Sequence, residues 1–402
     1  MSLLFQGGLV FDGDGPLHEG QGVLVEGDTI TKIAPTPEFA GFAGEIVDTT
    51  GGTLLPGLFD CHVHLVYAGD PDPFQRMNNM SDAAITLLAL ENAQATVAGG
   101  ITSIRDCGGK DYLEFAVRDA CNKGIFVGPT IAAAGRMICM TGGHGNRVGR
   151  IADGVDEVVK AVREQIHAGS DLIKIMATGG VMTPGVNPED AHYSAEEMAA
   201  GITEGHRFHK PCASHAQGRD AILNAVRGGV DSIEHGIFMD ERCVEEMIEH
   251  GTYLVPTISA LKNIMANADR GIPDYVIEKT ARVAETHKNG LGLYYRAGGK
   301  LAMGTDAGTP FNHHGANAME LAYMVEYGVS PIDALVAATG AAADLNRLRD
   351  RGRLREGHKA DLLVVSGDPT ADINRAANPT NHRLVVKNGA PLTKGQPKHL
   401  AK

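Results

Sequence analysis

Leu55-Pro56-Gly57-Leu58-Phe59-Asp60-Cys61-His62-Val63-His64 runs an apolar, strand-sized segment into two histidines spaced two apart. Alternate side chains of a strand share a face, so His62 and His64 project together. In the lumen of a barrel two such imidazoles can reach one metal ion. Taken alone, the pair fits one buried and one solvated histidine at least as well.

Outward from this stretch, apolar runs at 57–65, 101–106, 130–134, 172–177, 211–215, 231–235, 253–256 and 301–306 alternate with amphipathic segments. Ser194 and Glu197 form a capping-box pattern that opens a helix over 195–210. Ser330-Pro331-Ile332-Asp333 supplies an N-cap, a proline at the first helical position and an early acid. Eight strands alternating with helices predict an α/β chain, a parallel (β/α)₈ TIM barrel over 57–357. Residues 1–56 and 358–402 are strand-rich and turn-rich, which predicts a small β-sandwich domain built from both termini.

Polar residues close several of the apolar runs. His215 ends Cys212-Ala213-Ser214-His215, His235 ends Ser232-Ile233-Glu234-His235, and Asp306 ends Ala302-Met303-Gly304-Thr305-Asp306. Barrel strands meet at one mouth through their C-terminal ends. Four histidines and an aspartate converging there are costly to bury without a metal or mutual pairing. Their nitrogen and oxygen donors suit Zn²⁺ and related divalent ions. Lys174, inside Leu172-Ile173-Lys174-Ile175-Met176, is expensive to bury as a cation. It either reaches a partner or has a special role.

The rest of the composition excludes more than it identifies. A formal net charge of −13 argues against nucleic acid and anionic membranes as partners. The first ten residues lack a basic, then apolar, leader pattern, so a cytoplasmic enzyme is expected. The six cysteines contain no CxxC pair and read as buried small apolar residues. His206 and His209 read as surface residues of their helix. His313 and His314 are read as outside the pocket rather than on its rim, and Met77, Met80, Met137 and Met140 as core or pocket wall.

These motifs resemble the amidohydrolase superfamily over nearly the whole chain: LPGLFDCHVH, Lys174, His215, His235, GTDAGTP, and the closing 334–339 and 352–362 segments. Within it the chain is similar to the imidazolonepropionase-related group, especially its Xaa-Pro dipeptidase (prolidase-like) and Xaa-Arg/Lys dipeptidase branch. The segments 99–106, 140–145 and 177–181 carry that likeness. The resemblance implies two divalent metal ions, read here as Zn²⁺, and CO₂ that carboxylates Lys174 to N6-carboxylysine. It implies that His62, His64 and Asp306 hold one ion and His215 and His235 the other, with Lys174 bridging. Asp306 would take the proton of the attacking water and pass it to the leaving amine.

The same resemblance puts His144 toward the substrate carboxylate, and Tyr67, Arg136, Arg147 and Gln217 near the mouth. Relatives often carry tyrosine where Gln217 stands. The expected activity is hydrolysis of Xaa-Pro dipeptides, because no clear acidic pair stands in the strand-three or strand-four loops. Glu189 and Asp190 keep an Xaa-Arg/Lys dipeptidase or carboxypeptidase open, and another cyclic-amide hydrolase is a further alternative. A non-catalytic assembly protein is disfavoured by the complete ligand set. By analogy the enzyme is a homo-oligomer acting on a small molecule or dipeptide.

Overall fold

The computed structural model describes residues 2–392. Met1 and positions 393–402 of the expected terminal domain lie outside the described residues. Among these residues no helix is long and apolar enough to cross a membrane.

The two ends of the chain do interleave. One sheet orders Thr29–Pro35, Gln21–Glu26, Ser2–Gln6 and Glu45–Asp48. A second orders Ala390–Pro391, His382–Lys387, Leu362–Ser366, Gly52–Pro56, Leu9–Phe11 and Leu17–His18, so C-terminal strands pair directly with N-terminal ones. Leu363 faces Leu55 across the antiparallel pair. Leu3, Phe5, Val25, Leu54, Leu362 and Val386, taken from both sheets, share one buried cluster.

Between these ends the chain alternates parallel strands with helices. Leu58–Val63, Ile101–Asp106 and Thr130–Ala133 form a three-stranded parallel sheet. Arg150–Ile151, Ile138–Cys139, Ile173–Met176, Cys212–Ala216, Ser232–His235 and Tyr253–Val255 form a six-stranded one. Both faces of such sheets are covered, which is why these strands read as short buried runs without a regular apolar–polar alternation. The helix over Ala195–Arg207 carries the expected reciprocal capping box of Ser194 and Glu197. Ser330 accepts from the Asp333 amide at the start of Pro331–Ala337.

One expected strand is not a strand. Residues 301–306 bridge the two sheets, with single contacts of Leu301 to Leu254 and of Ala307 to Val63. The Cys61 amide donates to Met303 O at 2.8 Å, and the Asp306 amide to His62 O at 2.7 Å. The segment cannot make a regular ladder because its donors are diverted. The Met303 amide goes to Ala337 O, and the Thr305 amide to the buried Asp60 carboxylate.

A buried ion cluster ties the terminal sheets to the middle. Lys387 Nζ donates to Asp361 Oδ2 and to Thr130 Oγ1, both at 2.7 Å. Arg351 also pairs with Asp361, and the Asn388 amide donates to Asp361 Oδ1. Lys387→Met should therefore cost about 1–3 kcal/mol, since Asp361 keeps a cation and an amide donor. A urea denaturation midpoint unchanged from wild type would show that this tie contributes nothing.

Candidate active site

The expected site residues gather at one end of the parallel strands. His62 lies in Leu58–Val63, His64 just past its end, Lys174 in Ile173–Met176, His215 in Cys212–Ala216, and His235 closes Ser232–His235. All are buried except Asp306, which is only slightly more open. His62, His235 and Asp306 each bring one donor atom to within 4.8 Å of the others. The His62 ring centroid is 5.4 Å from that of His64 and 5.2 Å from that of His235.

Two of these positions depend on unusual backbone. His215 lies opposite Glu234 in the ladder, so strand alternation turns Glu234, not His235, toward the same face as His215. His235 has φ of 72° and Asp306 has φ of 61°, in the left-handed region that costs a non-glycine residue free energy. That turn brings both side chains into the cluster.

Each histidine has one ring nitrogen committed behind it. His62 Nδ1 donates to Glu234 Oε2 at 2.7 Å and His64 Nδ1 to Gly108 O at 2.7 Å. His215 Nε2 donates to Gly179 O at 2.9 Å. His235 Nδ1 is 2.6 Å from Thr257 Oγ1, whose own proton goes to Pro256 O. Carboxylates and carbonyls only accept, so each tautomer follows. The free lone pairs are Nε2 of His62, His64 and His235, and Nδ1 of His215. Metal-ligating histidines are oriented in this way, by an acceptor on the remote nitrogen.

The electrostatics agree with neutral rings at His62, His215, His235 and His144. Burial, then the Lys174 charge, holds His62 well below the ordinary imidazole range. Burial, then His235, does the same to His215, and burial takes His235 and His144 down to about 3. Burial raises Asp306, but the neighbouring His62 and His64 hold its carboxyl far below the usual range. His64 is the exception: burial lowers it, but the Asp306 carboxylate 3.2 Å from its Nε2 raises it by more. Lys174 Nζ lies 3.4 Å from His62 Nε2, and among the described residues no carboxylate forms an ion pair with it. A buried amine with no anion beside four oriented imidazoles and a carboxylate is a donor set suited to metal ions.

Glu234 and Arg105 were not legible as part of this site. Arg105 donates to Glu234 Oε1 at 2.7 Å, to Cys61 O at 2.6 Å and to Ser232 Oγ at 3.1 Å, with all of these groups buried. The available signal was a charged residue directly after an isoleucine in a strand-sized run, Arg105 in Ile101–Asp106 and Glu234 in Ser232–His235; both strands are fully buried.

The cluster forms the floor of a cavity holding about 850 Å³ between protein atoms, its open mouth included. Tyr67, His144 and Gln217 line it. Its walls are mostly apolar, including Phe74, Met137, Met182, Ile237, Leu261 and Ile264, with His287, Thr257 and Thr309 as further polar residues. Tyr67 Oη and Gln217 Oε1 are buried without a hydrogen-bond partner among the described residues. Arg136 is not in the lining, because its guanidinium donates to Val148 O and Gly149 O. Arg147 is exposed and lies over the Phe74 ring at 4.8 Å, outside the lining. Glu189 pairs with Arg282, and Asp190 accepts from Asn187. His314 is buried 3.2 Å from His64 O, His313 is exposed, and neither lines the cavity. His206 is not a plain surface residue: it is half-buried and bonds Asp231 at 2.8 Å. All six cysteines are free and buried.

Comparison with known proteins extends this picture. Ochratoxinase of Aspergillus niger is 32% identical over 433 aligned positions, covering 96% of this chain and 86% of that protein. A crystal structure of a Xaa-Pro dipeptidase with methionine bound in its active site matches with a TM-score of 0.90 and 32% identity, covering 98% of this chain and all of that one. A prolidase complexed with N-methylphosphonate-L-proline matches with a TM-score of 0.90 and 30% identity, over 98% of this chain and all of that one. The description "Amidohydrolase family" matches residues 53–392, from the last strand before His62 to the end of the terminal sheet. With that span and these likenesses, the chain belongs to the amidohydrolase family, and it is a hydrolase of that superfamily.

Proposed function

We propose that this chain is a binuclear metal-dependent amide hydrolase acting on Xaa-Pro dipeptides. In this reading residues 57–357 close into a (β/α)₈ barrel, and 1–56 with 358–402 form a β-sandwich beside it. One observation carries the reading: four buried histidines have their remote nitrogens tied back, leaving one lone pair on each in a cavity that Asp306 and Lys174 also line. His62, His64 and Asp306 would hold one Zn²⁺, and His215 and His235 the other. Starting from the ammonium form, Lys174 Nζ would bond the carbon of CO₂ and lose two protons. That would turn a buried cation into a carbamate anion able to help hold both ions.

When bound, the ions supply Lewis acidity to a scissile carbonyl and to the attacking water. Asp306 Oδ1 faces His62 and His64, so Oδ2 is the oxygen assigned to accept the water proton. It returns that proton to the amide nitrogen as the C–N bond breaks. Gln217 Oε1 would accept an N–H of the substrate and Tyr67 Oη donate to an oxygen. These two buried polar atoms have no other partner among the described residues. His144 would meet the carboxylate end.

Apolar walls suit a proline ring and a neutral Xaa side chain. Among the described residues Asp306 is the one acid in the lining, and Glu189 and Asp190 are engaged elsewhere, which disfavours arginine or lysine specificity. A different amide substrate is the second reading, favoured by the similarity to ochratoxinase over nearly the whole chain.

The test is hydrolysis of a dipeptide library by enzyme loaded with Zn²⁺ and bicarbonate. Turnover confined to Xaa-Pro members is expected. Turnover of Xaa-Arg or Xaa-Lys would overturn the specificity. Silence with two metals bound would favour the second reading, and a folded protein taking up no divalent metal would overturn the enzyme mechanism itself.

A further inference from the structure

We infer that Thr183 is a positioning residue that fixes His144 as an Nε2–H donor toward the cavity, and that Lys279 holds Thr183 in place. The inference rests on the proposed role of His144 at the substrate. His144 Nδ1 is 2.8 Å from Thr183 Oγ1, and the ring centroid is 4.5 Å from that of His215. The ring also packs on Gly180, where a Cβ would lie 2.6 Å from Nε2. Its orientation is therefore set on two sides.

The direction of the Thr183 bond follows from a comparison inside the molecule. Thr257 also meets a histidine Nδ1, but its proton goes to Pro256 O, so Thr257 can only accept from His235. Thr183 Oγ1 has no second hydrogen-bond partner among the described residues. Its hydroxyl is free to donate to His144 Nδ1, which leaves the ring proton on Nε2. The four metal-facing histidines present lone pairs, whereas His144 presents an N–H. That is the polarity a substrate carbonyl or carboxylate oxygen requires.

Thr183 sits in the segment between Ile173–Met176 and Ala195–Arg207, and the helix Asp274–Arg296 grips this segment from outside. Lys279 Nζ donates to Thr183 O at 2.7 Å and Val186 O at 2.6 Å, and Tyr275 Oη donates to Met182 O at 3.2 Å. Arg282 pairs with Glu189 in the same segment. The wall residues Val181 and Met182 thus belong to the same tethered segment as the residue that orients His144.

Neutron diffraction of the Zn²⁺-loaded, deuterium-exchanged enzyme tests the assignment without substrate. Deuterium on His144 Nε2, with the Thr183 hydroxyl aimed at Nδ1, is expected; deuterium on Nδ1 overturns it. With Met-Pro as probe, Thr183→Val should raise KM about tenfold, the value of one hydrogen bond, while kcat stays within about twofold. Thr183→Ser should restore KM, and Lys279→Met should raise it about threefold by loosening the same contact. A wild-type KM in Thr183→Val overturns the positioning role. An unchanged KM in His144→Asn would instead remove the substrate role of His144, leaving the tautomer to the neutron map.

Discussion

Asp306→Asn should lower kcat/KM by about 10²–10⁴-fold, the range associated with losing a positioned proton carrier. The substitution keeps the shape of the side chain but leaves no oxygen able to hold a proton near neutral pH. Asn is also among the few residues that tolerate the left-handed backbone found at position 306, where φ is 61°. The fold should therefore survive, with a melting temperature close to wild type. The Asp306 carboxylate balances the His62 and His64 imidazoles, so metal content must be measured beside activity. A variant that binds metal normally and retains kcat/KM within threefold would remove Asp306 from proton transfer.

Glu234→Gln should have the largest effect on stability, about 3–5 kcal/mol, because it strips the anion from the buried Arg105 guanidinium. It should also weaken metal binding by about 10–100-fold, since His62 loses the carboxylate that holds its Nδ1 proton. Glu234 accepts from three side chains, His62 on Oε2 and Arg105 and Ser232 on Oε1; a glutamine keeps one of these oxygens and presents its NH₂ in place of the other. Removing the cation as well, in Glu234→Gln with Arg105→Met, should recover part of the stability but not the metal affinity. Urea denaturation and metal analysis on the same samples separate the two effects. Wild-type values in both would mean that Glu234 neither neutralises Arg105 nor orients His62.

Much of this was legible in the sequence, for reasons that differ by element. The buried parallel strands read clearly because both their faces are covered, so they become short apolar runs between helices. The capping box at Ser194 is a local bargain between neighbouring residues and needs no tertiary context. The segment 301–306 misled because its apolar content reports burial, while its hydrogen bonds depend on Ala337 and Asp60, far away in sequence. Arg136 likewise fitted a cavity mouth by position, but backbone carbonyls at 148 and 149 take its donors.

The sequence by itself determined the α/β alternation, the interleaving of the two ends, and the kinds of side chain able to hold metal. Those are properties of local periodicity and donor chemistry, which are written residue by residue. The tertiary structure alone decided which nitrogen of each histidine faces inward, because the deciding acceptors are Glu234, Gly108, Gly179 and Thr257, brought in from other strands and loops. It alone decided that His235 joins the cluster, since strand alternation points it away and a left-handed backbone turns it back. An imidazole's role depends on the position of one proton, and that position is set by whatever the fold places behind the ring.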